Sequence, residues 1–177
     1  WINRPGSNYS GLFASVREAR LQQLALTGPL TQVVGNGYAG LLSGYASAGS
    51  VISGVYATGS VQVADGYAGG IVGDLYNSTV QYGLSEASVA GGNYIGGLVG
   101  RARSWKDVSQ LNQVLVMGLV TSDGSYRGGI AGWLSGVNIN ATYWATDATG
   151  QDAIGYLSGT VNTDNSGHLL AELQCPT

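Results

Sequence analysis

One five-residue pattern recurs five times along the chain: Tyr, any residue, Gly, any residue, then a large apolar residue. The copies open at Tyr9, Tyr38, Tyr67, Tyr94 and Tyr126 and close at Phe13, Leu42, Ile71, Leu98 and Ile130. Successive tyrosines lie 29, 29, 27 and 32 residues apart. A period of this size, varying by a few residues, means a stack of similar units whose loops absorb the differences in length. It shifts the functional expectation towards scaffolds and binding surfaces.

The chain must still bury a core. Hydrophobic residues make up 44% of the 177 residues and tyrosines number 11, which excludes a disordered chain. The 30 glycines follow no Gly-X-Y period, so a collagen-like fold is excluded. A helical solenoid fails as well, because glycine falls inside every unit and weakens helices. Charged residues are only 10% and the net charge is −3, too little basic surface for a nucleic-acid partner. No apolar run is long enough to insert in a membrane as a helix. The opening Trp1-Ile-Asn-Arg-Pro5 lacks a basic start and an apolar run. The chain is therefore read as a mature fragment or an excised domain of a larger protein.

Within the second unit, Val51, Val55, Ala57, Val61 and Val63 fall on alternate positions, with polar residues between them. Period two with β-branched residues predicts strands. Two or three short strands per unit, with glycine turns, predict one coil of a parallel β-helix. The reading is all-β: a right-handed parallel β-helix of about five coils over residues 1–144, its hand taken from the general rule for parallel crossovers. Residues 145–177 are read as a C-terminal polar loop and capping segment. There Leu169, Leu170 and Leu173 share one face of a short helix capped by Ser166, laid over the open last coil.

Stacked coils turn equivalent residues into ladders. Phe13, Leu42, Ile71, Leu98 and Ile130 are expected inside. Tyr9, Tyr38, Tyr67, Tyr94 and Tyr126 are expected as a stacked aromatic column turned into the core, with the glycines two residues on leaving room beside it. Seven residues after each tyrosine stand Val16, Tyr45, Asp74, Arg101 and Trp133. Asp74 and Arg101 would then pair on adjacent coils, with Trp133 covering Arg101.

These repeats resemble the GLUG repeats of bacterial surface proteins, named for a Gly-Leu-any-Gly core. Gly97-Leu-Val-Gly100 and Gly70-Ile-Val-Gly73 match closely, Gly129-Ile-Ala-Gly132 nearly so, and the first two copies are degenerate. Tyr143-Trp-Ala-Thr-Asp-Ala-Thr-Gly-Gln151 looks like the signature that often closes such arrays, with Ala145 where Asp is usual, and Leu173-Gln-Cys-Pro-Thr177 like a common junction after them. The resemblance implies a segment of a large secreted or cell-surface bacterial protein, often adhesin-like, with no shared catalytic residues.

Chemistry is sparse. The densest polar cluster is Arg101, Arg103, Trp105, Lys106 and Asp107, in the longest step between tyrosines. It reads either as a glycan- or anion-binding loop with Trp105 as platform, or as a solvated loop with Trp105 folded back. A carbohydrate-active enzyme on acidic polysaccharide would need Asp65, Asp74 or Asp107 to converge with Arg101, Arg103 or Lys106. Asp147, Asp152 and Asp164 lie in a polar stretch where calcium binding is open, though the EF-hand spacing is absent. His168, the only histidine, reads as a surface or cap residue, and Cys175 as pairing outside the chain. The expectation is a non-catalytic structural or adhesion module without cofactor or metal. Its partners would be copies of itself stacked end to end, or host and matrix glycans.

Overall fold

The computed structural model describes residues 1–28, 30–159 and 162–173. Every strand pairing among them is parallel. They form a β-solenoid of about five coils, with three sheets running its length. The tyrosine sheet stacks Tyr9–Ser10, Tyr38–Gly40, Tyr67–Gly69, Tyr94–Gly96 and Tyr126–Gly128. The second sheet stacks Phe13–Arg17, Ser43–Ser47, Val72–Tyr76, Val99–Arg103, Ala131–Ser135 and Ile154–Ser158. The long sheet is built on Arg20–Leu26, Val51–Val63, Thr79–Gly91, Ser109–Val116, Val137–Ala145 and Asn162–His168, with Ile2–Asn3, Gln32–Gly35 and Val120–Thr121 beside them. One continuous apolar cluster lies between the sheets.

The inner ladder follows the repeat. Leu42, Ile71, Leu98 and Ile130 are fully buried, and each N–H reaches the carbonyl of its counterpart one coil on, Leu42 to Ile71 at 3.1 Å and Ile71 to Leu98 at 2.9 Å. Phe13 departs from the expectation and is 39% exposed. The first coil is one residue short between Tyr9 and Ser15, so Ser15 rather than Val16 pairs with Tyr45. Val16 instead joins an inner ladder with Ala46, Leu75, Ala102 and Leu134.

The tyrosines stack, but not into the core. The residues after Tyr38, Tyr67 and Tyr94 point inward: Ala39, Ala68 and Ile95 are completely buried while the tyrosines they follow stay half-buried, and only the last copy, with Arg127 exposed, departs. Nor do the glycines make room for the rings. A Cβ on Gly40 would lie 2.7 Å from Val72 Cα in the next coil. A Cβ on Gly73 would lie 2.6 Å from Ala39 N in the tyrosine sheet. Glycine at both places lets backbone approach backbone.

The strict alternation expected from Val51 also fails. Ile52 is buried and Val51 is not. Gly54 is left-handed at φ 64°, and residues at the same level in other coils, Gln23, Tyr82, Gln113 and Ala141, are left-handed too. Each inserts one extra outward residue, so the inward set is Ile52, Val55, Ala57, Val61 and Val63.

A second corner, from the second sheet into the long sheet, carries a ladder that sequence reading missed. Ser50, Ser78 and Ser109 are buried at equivalent positions. Ser50 N donates to Ser78 Oγ at 3.2 Å and Ser78 N to Ser109 Oγ at 3.2 Å. Each hydroxyl donates to a carbonyl of its own corner: Ser47 O at 2.7 Å, Tyr76 O at 2.9 Å and Arg103 O at 2.8 Å. The chain thereby satisfies N–H groups that the turn removes from the sheets.

Beyond residue 144 strands continue the solenoid: Ile154–Ser158 extends the second sheet in register, and Asn162–His168 extends the long sheet with a register shift between Ile139 and Thr142. A helical turn not expected from the sequence, α1 (Thr146–Thr149), ends on Gly150 at φ 66°. Trp144 Nε1 donates to Gln151 O at 3.0 Å and fastens the return. The expected capping helix is a single turn, α2 (Leu170–Leu173), with no buried residue. It sits against α1, where Leu170 N donates to Asp147 Oδ1 at 2.8 Å. Its first turn is closed by Glu172, whose Oε2 accepts from Leu169 N at 3.0 Å, while Ser166 Oγ contacts His168 Nε2 at 2.9 Å. Leu169 is exposed, so no leucine face is laid on the core. Cys175 lies outside the described residues.

Candidate functional site

The chemically richest surface is the seam where the tyrosine sheet meets the second sheet. Parallel register brings tyrosines from successive coils face to face. Ring centroids are 5.2 Å apart for Tyr9–Tyr38, 5.0 Å for Tyr38–Tyr67, 4.7 Å for Tyr67–Tyr94 and 4.9 Å for Tyr94–Tyr126. These match the roughly 4.8 Å strand spacing, so the column rides on the backbone ladder.

A second outward column runs beside it on the neighbouring sheet: Ser15, Tyr45, Asp74, Arg101, Trp133 and Tyr156. The two columns interlock. Tyr9 meets Tyr45 at 5.6 Å, Tyr94 meets Trp133 at 5.7 Å and Tyr126 meets Tyr156 at 5.0 Å between centroids.

At the centre lies a buried ion pair, as the register of Asp74 and Arg101 implies. Asp74 is 1% exposed. It accepts Arg101 Nε at 3.1 Å on Oδ1 and Nη2 at 2.6 Å on Oδ2. The guanidinium also donates to the Tyr67 hydroxyl at 3.1 Å and the Tyr38 hydroxyl at 3.3 Å. Its carbon lies 4.2 Å from the Tyr67 ring centre and 5.3 Å from that of Trp133. Burial works against the arginine's charge, but the hydrogen bonds and charge of Asp74 outweigh it and raise its pKa further. Burial likewise raises the Tyr67 and Tyr45 phenols above their usual value. Arg103 reaches the same carboxylate at 3.3 Å and lies 4.4 Å over the Tyr76 ring. One carboxylate thus holds two guanidiniums, and the group keeps one excess positive charge on its half-exposed Arg103 side.

The sequence cluster of Arg101, Arg103, Trp105 and Lys106 therefore splits. Both arginines belong to the seam. Trp105 and Lys106 stand on the 104–108 insertion, which replaces a tight corner in the fourth coil. Trp105 is 81% exposed and is not folded back. Asn77 Oδ1 holds its backbone N–H at 2.8 Å.

The acids named for catalysis do not meet. Only Asp74 sits with arginines. Asp65 is at the opposite corner, accepting from Asn93 Nδ2 at 2.6 Å, and Asp107 is exposed on the insertion. Asp147 accepts from Leu170 N and Asp164 from Ala141 N, while the Asp152 carbonyl accepts from Gly129 N. Among the described residues no three His, Cys, Asp or Glu side chains are placed to share a metal ion. No helix among them is long and apolar enough to cross a membrane.

Comparison of this chain with protein-family models, with curated proteins and with solved structures returns no match.

Proposed function

We propose that this chain is a non-catalytic structural and adhesive module of a bacterial secreted or cell-surface protein, acting as a rigid spacer or binding surface. The observation that carries this reading is the use made of its few charges. Asp74, Arg101 and Arg103 are tied to one another and to the tyrosine column, binding coils together rather than facing a cleft. The GLUG-like repeats support the extracellular placement. The test is to incubate the chain with acidic and neutral polysaccharides and measure new reducing ends and unsaturated products. None are expected, and sustained release abolished by Asp74→Asn would overturn the reading.

A second reading, glycan binding, is favoured by Trp105. A large apolar ring standing 81% exposed, beside Lys106 and near the excess charge of Arg103, suits stacking on a sugar face with an acidic substituent gripped alongside. Retention of beads coated with the chain on sulfated or uronate-containing glycans is expected to fall at least tenfold in Trp105→Ala. Unchanged retention would remove Trp105 from the binding surface.

A further inference from the structure

We infer that the outer face of the long sheet is a contact between two copies of this chain, packed face to face about a twofold axis that runs along the strands. The inference is independent of both readings of function above and concerns a face that neither uses.

That face is apolar along its middle and almost free of charge. Its four central strands, Val51–Val63, Thr79–Gly91, Ser109–Val116 and Val137–Ala145, contain one charged residue, Glu86. Tyr56, Leu84, Leu115 and Tyr143 stand in register on successive coils. They point outward, since the residues on either side of Tyr56, Leu84 and Leu115 are buried. Tyr56 is 37% and Tyr143 40% exposed, and Tyr82 beside the stripe is 57% exposed. Glu86 is engaged as the acceptor of the Tyr56 hydroxyl at 2.7 Å. Tyrosine without charge is the composition of the centre of a contact rather than of a solvated face.

The face is also complementary to itself. From coil to coil the stripe runs Tyr, Leu, Leu, Tyr, the same in both directions. A twofold axis along the strands, passing between Leu84 and Leu115, lays Tyr56 of one copy on Tyr143 of the other and Leu84 on Leu115. The same rotation keeps every column on its own reverse. The polar column Ser53, Gln81, Asn112 and Asn140 therefore meets itself. Side-chain amides both donate and accept, so such a column can bond to its own copy.

Charge at the rim selects this axis. It is the midpoint of six stacked strands, three on each side, and so sets Arg20–Leu26 of one copy opposite Asn162–His168 of the other. Arg20 then faces Asn162, one outward position from Asp164, and both charged residues are exposed. Symmetry makes this attraction twice. A twofold axis along the solenoid would instead set each coil on its like, leaving arginine and acid at opposite ends of the contact. The area suffices as well. Six strands of seven shared residues span about 29 by 23 Å. Two such faces bury roughly 1,300 Å², within the range of stable protein contacts.

The test uses the whole chain. Wild type is expected at twice the monomer mass by sedimentation equilibrium, with no larger species. Leu115→Lys, at an outward position beside the axis, is expected to weaken the dimer by about a hundredfold or more, with unchanged circular dichroism. Two variants away from the stripe, Ser53→Cys and Asn140→Cys, each combined with Cys175→Ser, report the geometry. A short bismaleimide is expected to cross-link their mixture, because Ser53 faces Asn140 across the axis. It is expected to cross-link neither alone, because like thiols then lie about 14 Å apart along the solenoid. A wild-type monomer at about 1 mM, a Leu115→Lys dimer as tight as wild type, or cross-linking of one variant alone without the mixed product would overturn the proposal. So would a monomeric wild type retained on a neutral polysaccharide and released by Leu115→Lys, which would give the face to a sugar.

Discussion

Replacing Asp74 by leucine is the sharpest probe of the seam. The side chain is similar in size, so the main loss is the carboxylate. Arg101 would then be left with its side chain 11% exposed and its counter-ion gone. Removing one partner of a buried pair typically costs about 3–5 kcal/mol. Arg101 keeps the two tyrosine hydroxyls and its place over Tyr67. We therefore expect the lower end, about 3 kcal/mol, which in a chain of this length lowers Tm by roughly 6–12 °C. The double variant Asp74→Leu, Arg101→Met removes both charges. Arg103 is already 34% exposed and can turn to water, so the double variant should lose only about 1 kcal/mol. Urea titrations followed by tryptophan fluorescence and far-ultraviolet circular dichroism, with coincident transitions, measure both. A single variant within about 1 kcal/mol of wild type would refute the reasoning, as would a double variant as unstable as the single.

Other consequences are independent of the pair. Gly69→Ala should prevent cooperative folding, a loss above about 4 kcal/mol, because its Cβ would lie 2.5 Å from Val99 Cα; Gly6→Ala, with open space around it, is the neutral control. Ser78→Ala should cost about 1 kcal/mol by chemical denaturation, since it removes the donor to the Tyr76 carbonyl and leaves the Ser50 N–H with Ser47 O at 3.2 Å as its remaining partner. Trp105→Ala should change stability by no more than about 0.5 kcal/mol while removing a solvent-exposed, red-shifted fluorescence component. The Tyr67 and Tyr45 phenols are raised by burial in the folded chain. Their contribution to stability is therefore fully present below the ordinary tyrosine value and lost as pH rises through the folded one. Denaturation midpoints should hold up to about pH 10 and fall above it, with part of the phenolate absorbance appearing only in that fall. Titration of Tyr67 and Tyr45 at the ordinary tyrosine value, with no loss of stability, would contradict the buried seam.

The seam was half legible in the chain. In a solenoid a fixed sequence offset becomes a fixed spatial neighbour, so the 27-residue step from Tyr67 to Tyr94 already places Asp74 beside Arg101. The same translation stacks the tyrosines and runs Leu42, Ile71, Leu98 and Ile130 into one ladder. It says nothing about what lies across a corner. That Tyr38 and Tyr67 would hold Arg101, or that Arg103 would share Asp74 while Trp105 faces water, depends on how sharply two sheets meet.

Periodicity alone therefore determined the class of fold, the neighbours along the axis and the tyrosine column. The tertiary structure decided which way residues face and where each coil turns. A left-handed residue such as Gly54 or Tyr82 shifts the inward set by one position, and a one-residue deletion before Ser15 moves Val16 from one column to another. Period-two reading is blind to both, because each is a single backbone event. The serine ladder at the corner was hidden for the same reason. Ser50, Ser78 and Ser109 become partners only when three turns of unequal length stack, and it is the need to satisfy buried N–H groups at a bend, not any pattern in the chain, that puts hydroxyls there.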